Sequence, residues 1–402
     1  MTSQSKSTLG PLAGVRVIEL GQLIAGPFCG KTLADFGAEV IKIEPPGKGD
    51  PLRKWRLLKN GNSVWWEVQS RNKQSVTLDL TKAEGQDVLR ALVKEADVLI
   101  ENFRPGKMEE WSLGYKDLKK INPRLVMARI SGYGQDGPYR DRPGFGIIAE
   151  SMGGLRYLTA EPGRVPVRVG VSIGDTLAAL HGVIGILMAL YHRDARGGEG
   201  QVIDIALYES VFNCMESLLP EYSAFGIVRE AAGSALPGIV PSNAYPCKDG
   251  WILIGGNGDG IFKRLMSAMG REDYAASPDM AGNDGRVKRV ADIDGAITAW
   301  TSAHDKATAL KILEQHDVPS GAIYSIADIA ADQQYRAREM ILNITTRDGY
   351  AVDVPGIVPK LSATPGAIRS SAPRLGEDTV AVLEKAGLKP ETIADLRAKG
   401  VI

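Results

Sequence analysis

One carboxylate stands out as a group that could do chemistry. Asp175 lies in the segment SIGDTLAAL, directly after a serine and a glycine and at the head of a long apolar stretch, LAALHGVIGILMALY. An acid in a first helical turn satisfies free N–H groups and opposes the positive end of the helix dipole. Well-placed acids are more often structural than catalytic. The same position favours a negative charge, however, and Gly174 beside it has no side chain to keep a substrate away; an approachable carboxylate is a competent nucleophile. On the residues alone both readings stay open.

The other reactive side chains offer less. His181, His192, His304 and His316 fall on expected helices, without HxxxH spacing and without an order that would build a Ser/His/Asp triad. Cys29, Cys214 and Cys247 form no CxxC or Cys/His pairing, so neither a disulfide framework nor a metal site is expected, and all three read as small buried hydrophobes. Basic residues cluster in KGDPLRKWR (residues 48–56), at Arg71 and Lys73, and at Arg104 in ENFRPGK. Solvation explains most such clusters, but a phosphorylated ligand is also held by Lys and Arg at strand ends.

The elements that must position these groups alternate. Residues 15–20, 40–44, 75–80, 97–102 and 125–131 read as strands, with helices over 25–36 and 81–95 between them. Alternating strands and helices build a parallel sheet with crossovers on its faces, an open α/β fold. Residues 173–193 predict a helix apolar nearly all round, hence buried, followed by a strand at 201–207 and a helix at 209–219. Residues 224–245 are rich in Gly, Pro and Ala and read as a linker or functional loop. The expected organisation is a large Rossmann-like open-sheet domain over 1–222, a smaller α+β domain with its flanking linker over 223–317, and a return to the large domain with a helical tail over 318–402.

Composition narrows the function. Lys+Arg and Asp+Glu each number 48 in 402 residues, so no global field draws a polyanion, and a nucleic-acid partner is not expected. The apolar run 177–191 is shorter than the roughly 20 residues of a membrane-spanning helix, and none is expected. The start MTSQSKSTLG has neither a basic region before an apolar run nor an arginine, so a cytoplasmic protein is the expectation. Glu44 closes the second strand as a ribose-binding acid would. Yet GQLIAGPFCG matches neither GxGxxG nor GxxxxGK[ST], which argues against a nicotinamide enzyme or an NTPase.

Taken in order, the segments VIELGQLIAGPFCGKTLADFGAEVIKIEPPGKGD, RNKQSVTLDL, ADVLIENFRPGK, ISGYGQDGPYRDRPGFG, VGVSIGDTLAALHGVIGILMAL, GQVIDIALYESV and APRLGEDTVAVLEKAGL resemble the class III CoA-transferases. That family also contains 2-methylacyl-CoA racemases. The resemblance implies that Asp175 is the nucleophile, passing through an aspartyl anhydride and an aspartyl-CoA thioester, and that Gly174 permits its approach. It implies a covering loop within residues 233–243, including Gly238. Asn102 and Phe103 would lie near the pantetheine arm and Leu78 near the adenine. Pro45 and Glu110 stand where relatives carry phosphate-binding arginines, which leaves Arg71, Lys73, Arg104 or Lys107 to supply that charge. Ile24 replaces a glutamine of the formyl transferase. Phe145-Gly146 occupies the position of the racemases' His-Asp pair, so a transferase is favoured over a racemase. The resemblance further implies an interlocked homodimer. Coenzyme A would be a substrate and no cofactor would be tightly bound, with succinyl-CoA as the preferred donor and a small carboxylic or dicarboxylic acid as acceptor. A racemase or epimerase, or a catalytically silent CoA-binding protein, are the alternatives.

Overall fold

The structure is a computed structural model and describes residues 10–402. Its main sheet holds six parallel strands, numbered here among themselves: β1 (Arg16–Glu19), β2 (Glu39–Glu44), β3 (Lys73–Thr77), β4 (Val98–Glu101), β5 (Val126–Ser131) and β6 (Val202–Ala206). Their order is 3-2-1-4-5-6. The strand order therefore reverses between β1 and β4, and in an open α/β sheet ligands gather beyond the carboxyl ends of the strands at such a point. Every residue of β5 is buried, as a strand covered by helices on both faces must be. On one face Ile18, Ile41, Leu99 and Met127 pack with Leu89, Leu92, Leu118 and Leu383 into the main core.

Helices α1 (Ala25–Asp35), α2 (Gly146–Met152), α3 (Ile173–Ala195) and α4 (Leu207–Phe212) matter most for the site. The position of α3 follows from two glycines and an arginine. A side chain on Gly182 would meet Cys29 Sγ at 3.3 Å and Ile130 at 3.7 Å, and one on Gly185 would meet Ile203 at 2.9 Å. At the other end Arg193 donates to the Arg124 carbonyl (3.1 Å) and to Asp97 (2.9 Å). The helix thus runs antiparallel to β5, and its first turn stands beyond the carboxyl end of that strand.

Several expectations need correction. α3 is not buried all round: Leu180, Ile184, Leu187, Met188 and Tyr191 are exposed, because the helix lays one face on the sheet and leaves the other without a partner. With 23 residues, and a mean hydropathy of 1.8 over 18 of them, it is also long and apolar enough to cross a membrane, since it extends beyond 177–191 at both ends. The helix expected at 209–219 is broken at Glu216, which has φ 48°, into α4 and Leu218–Phe225. The tail is likewise two helices, Thr379–Lys385 and Pro390–Ala398, separated at Gly387. Cys29 is buried, which pushes its thiol well up, but Cys214 is exposed and Cys247 only half-buried.

By contacts the chain forms two compact units, one of residues up to 156, 169–227 and 334–402, the other of residues 157–168 and 228–333. The smaller unit has an antiparallel sheet of Ser242–Cys247, Gly250–Gly255 and Ser320–Ala322. Its middle strand alternates, sending Ile252 and Ile254 inward to Phe262, Leu265, Ile297 and Leu313, as a sheet with one wet face requires.

Candidate active site

Asp175 occupies the first turn of α3, partly exposed, and Ser172 ahead of it provides no side-chain cap. Its surroundings are built from glycines on another part of the chain. After β5 the backbone leaves at Gly132, and the returning segment crosses it at Gly144 so closely that a side chain on Gly132 would stand 2.8 Å from the Gly144 Cα. Two residues on, Gly146 opens α2 directly against the Asp175 carboxylate: a side chain there would come within 2.8 Å of Asp175 Cγ and nearer still to Oδ2. Phe145, extended at φ −136°, turns its ring outward and is 67% exposed.

Gly174 has a different task from the one its sequence suggests. It is buried, and its missing side chain faces the Gly146 carbonyl oxygen (3.1 Å) and the Ala149 methyl (3.4 Å). It makes room for α2, and the glycine that borders the carboxylate is Gly146. One turn along α2, Glu150 is buried behind Gly174 and pairs with Arg156 (3.2 Å).

Asn102 lies at the reversal point of the sheet, just after β4. Its Nδ2 donates to the Gln22 carbonyl and its Oδ1 accepts from the Gln22 N–H, both at 2.8 Å, so one side chain clips the β1–α1 loop in place. A side chain on Gly21 would meet the Gly26 Cα at 2.8 Å, so two glycines let this loop fold back on itself. Phe103 follows, stacked edge-on against Trp111 at 5.4 Å, with its N–H donated to Glu101 (2.7 Å). Burial pushes the Glu101 carboxyl up to about 7 even though Arg129 lies against it. Phe103 and Arg104 line a cleft of about 450 Å³ with Lys107, Glu110, Arg140 and Arg142. Glu110 is paired with Lys107 (2.7 Å), while Arg142 stacks on Tyr139 at 3.6 Å. Arg140 and Arg142 were missed in the sequence because YRDRPGFG has no periodicity to mark it; two arginines two apart between glycine turns were the available signal.

Three expected ligand residues are otherwise engaged. Arg71 is wholly buried, forked onto Asp35 (3.0 and 2.7 Å) and donating to the Pro355 carbonyl (2.6 Å), so it has no charge to offer a phosphate. Lys73, also buried, binds Glu19 (2.7 Å) and the Pro27 carbonyl (2.8 Å). Leu78 belongs to the main core at 2% exposure, so its side chain cannot lie on an adenine. Gly238 sits in the smaller unit at φ 76°, its carbonyl accepting from Asn283 (2.8 Å). It borders a cavity of about 210 Å³. Among the described residues no group of three or more His, Cys, Asp or Glu could hold a metal ion.

A profile described as CoA-transferase family III matches residues 12–379. The chain is 47% identical over 395 residues to a succinyl-CoA–D-citramalate CoA-transferase of Chloroflexus aurantiacus, covering 98% of each chain. It is 44% identical to the β subunit of a succinyl-CoA–L-malate CoA-transferase from the same organism (98% and 99% covered). With a succinate–glutarate CoA-transferase of Agrobacterium fabrum it shares 35% identity (93% and 95% covered). The crystal structure of a CAIB/BAIF family protein from Brucella suis superposes with a TM-score of 0.82 at 35% identity, covering 94% of this chain and 99% of that one.

Proposed function

This chain belongs to CoA-transferase family III and is a CoA-transferase acting on acyl-CoA thioesters, and on that premise we propose that Asp175 carries acyl and CoA groups in turn, from succinyl-CoA to a small dicarboxylic acid. The observation that carries the reading is the bare backbone of Gly146 against the Asp175 carboxylate. An Asp175 oxygen adds to the donor carbonyl, the C–S bond breaks, and CoA leaves as the thiolate, giving a mixed anhydride. The thiolate then attacks the aspartyl carbonyl and expels the donor acid as its carboxylate, leaving an aspartyl-CoA thioester. The acceptor carboxylate attacks that thioester and releases the thiolate again, and the thiolate takes the acceptor acyl group and frees Asp175.

No proton changes hands in these steps, so the nucleophile needs room and a low-water environment and no neighbouring base. Gly146 supplies the room. Moving an α-proton across a substrate would need a second acid/base on the far side, and neither Phe145 nor Gly146 can exchange one. Every anhydride step conserves the energy of a thioester, so no ATP enters. The relatives' names, citramalate, malate and glutarate, support a dicarboxylic acceptor and a succinyl donor. The Phe103–Arg104 cleft offers cations one strand from β5, where the coenzyme's pyrophosphate would pass. The outer face of α3 exposes Leu180, Ile184, Leu187, Met188 and Tyr191, an apolar composition in keeping with an interface to a second copy in an interlocked homodimer.

The test is CoA exchange between succinyl-CoA and a panel of free acids, with hydroxylamine added to trap an acyl group on Asp175. The native chain exchanges CoA and yields an Asp175 hydroxamate, and Asp175→Ala does neither. Equal exchange rates in the two proteins would overturn the assignment.

A further inference from the structure

A cleft of about 790 Å³ in the larger unit lies away from Asp175, where β2 ends. Gly47 and Lys48 follow that strand after Pro45-Pro46, and Lys54, Arg347 and Arg374 approach from three other segments. Arg53 forms the floor. Its guanidinium is forked onto Glu44, the last residue of β2, through two contacts of 2.8 Å and lies 3.8 Å from the Trp66 ring. The walls are tied as well: Asn62 donates to Asp348 (3.2 Å) and Arg374 to the Arg347 carbonyl (2.7 Å). Five cationic side chains line this pre-shaped cleft: Arg53 is held by Glu44, Arg347 lies 3.4 Å from Glu377 and Arg374 3.4 Å from Asp348, and Lys48 and Lys54 add positive charge beyond these three pairs, an arrangement suited to a phosphate group.

Its place along the sheet edge suggests which phosphate. The order β2-β1-β4-β5 puts this cleft three strand spacings from the strand that carries Asp175, roughly 14 Å at ~4.8 Å per spacing, with the Phe103–Arg104 cleft between them at β4. An acyl-CoA whose carbonyl is at Asp175 lays its pantetheine and pyrophosphate along that edge and ends in a ribose 3′-phosphate. We infer that the Lys48–Lys54–Arg374 cleft binds the ribose 3′-phosphate of the acyl-CoA substrate. The inference rests on the CoA-transferase reading and gives the nucleotide end a cradle that Arg71 and Lys73, locked in the interior, cannot provide.

The experiment compares CoA with 3′-dephospho-CoA, both as succinyl thioesters in turnover and as free thiols in calorimetric binding. The variants are Lys48→Glu/Lys54→Glu and Arg374→Glu, all at exposed positions, with Lys48→Arg/Lys54→Arg as the conservative counterpart. For the 3′-phosphorylated compounds, KM and Kd rise about five- to tenfold in the charge-reversed proteins and return towards native values in the arginine protein. For the dephospho compounds they stay close to native. An equal rise for both sets of compounds, or no rise for either, overturns the assignment. Binding needs no turnover, so a native chain that bound CoA without transferring it would count against the proposed reaction and leave this test intact.

Discussion

Gly146 and Asp175, 29 positions apart in sequence, meet so closely that a methyl group on the first would press on the carboxylate of the second. The contact exists because α2 and α3 enter their first turns side by side beyond the carboxyl end of β5. Gly174 allows the same approach from the α3 side, where its missing side chain faces the Gly146 carbonyl.

Gly146→Ala therefore moves the carboxylate proposed as the nucleophile. A Cβ 2.8 Å from Asp175 Cγ forces the carboxylate aside, and a shift of about 1 Å at a reacting group costs roughly a hundredfold in rate. Steady-state kinetics should show kcat down by about that factor, with the affinity for free CoA little changed. A native kcat would mean that the carboxylate is not held by this contact.

Arg71→Met tests the reassignment of Arg71 from ligand to core. Removing one member of its buried pair strands Asp35 without its guanidinium, which destabilises by about 3–5 kcal/mol. Urea denaturation reads that loss, while KM for succinyl-CoA in the protein that remains folded stays at its native value. A selective rise in KM with unchanged stability would return Arg71 to the coenzyme site.

Asn102→Ala should do both things at once. It deprives the Gln22 N–H and carbonyl of their partners, a cost of about 1–3 kcal/mol, and frees the β1–α1 loop at the reversal point of the sheet. The expected outcome is a lowered melting temperature together with a raised KM for the thioester; either change without the other would separate loop anchoring from coenzyme binding.

Glu67 gives a pH signature. Burial pushes its carboxyl from 4.5 up to about 7. Between those values the native protein keeps a proton that the unfolded chain has lost, so this group's contribution is complete below pH 4.5 and fades as pH rises through 7. Glu67→Gln removes the dependence. Melting curves from pH 5 to pH 8 should show the native protein losing stability relative to the variant as pH rises; parallel curves would mean that Glu67 titrates as an exposed carboxyl.

Most of the large unit was legible in the chain itself. The β-branched runs ending at Leu20, Glu44 and Ser131, each followed by a turn or a break, prescribe a parallel sheet, because alternating strands and helices have few other ways to bury both faces. The apolar helix headed by Asp175 was equally plain, while the acid itself read either as a helix-terminal charge or as a nucleophile. What periodicity could not convey is which partner each group meets. Arg71 and Lys73 look like surface cations until the fold closes Asp35 and Glu19 over them. Leu78 looks available until it is sealed in the core.

Local sequence determines which segments are strands or helices and which residue types stand at their ends, since those choices depend on near neighbours. Tertiary structure alone decided that Gly146 borders the Asp175 carboxylate, that Gly174 serves the packing of α2, and that cations from residues 48–54, 347 and 374 share one cleft. Those relationships join positions far apart in the chain, and only the packing of whole elements sets the distances between them.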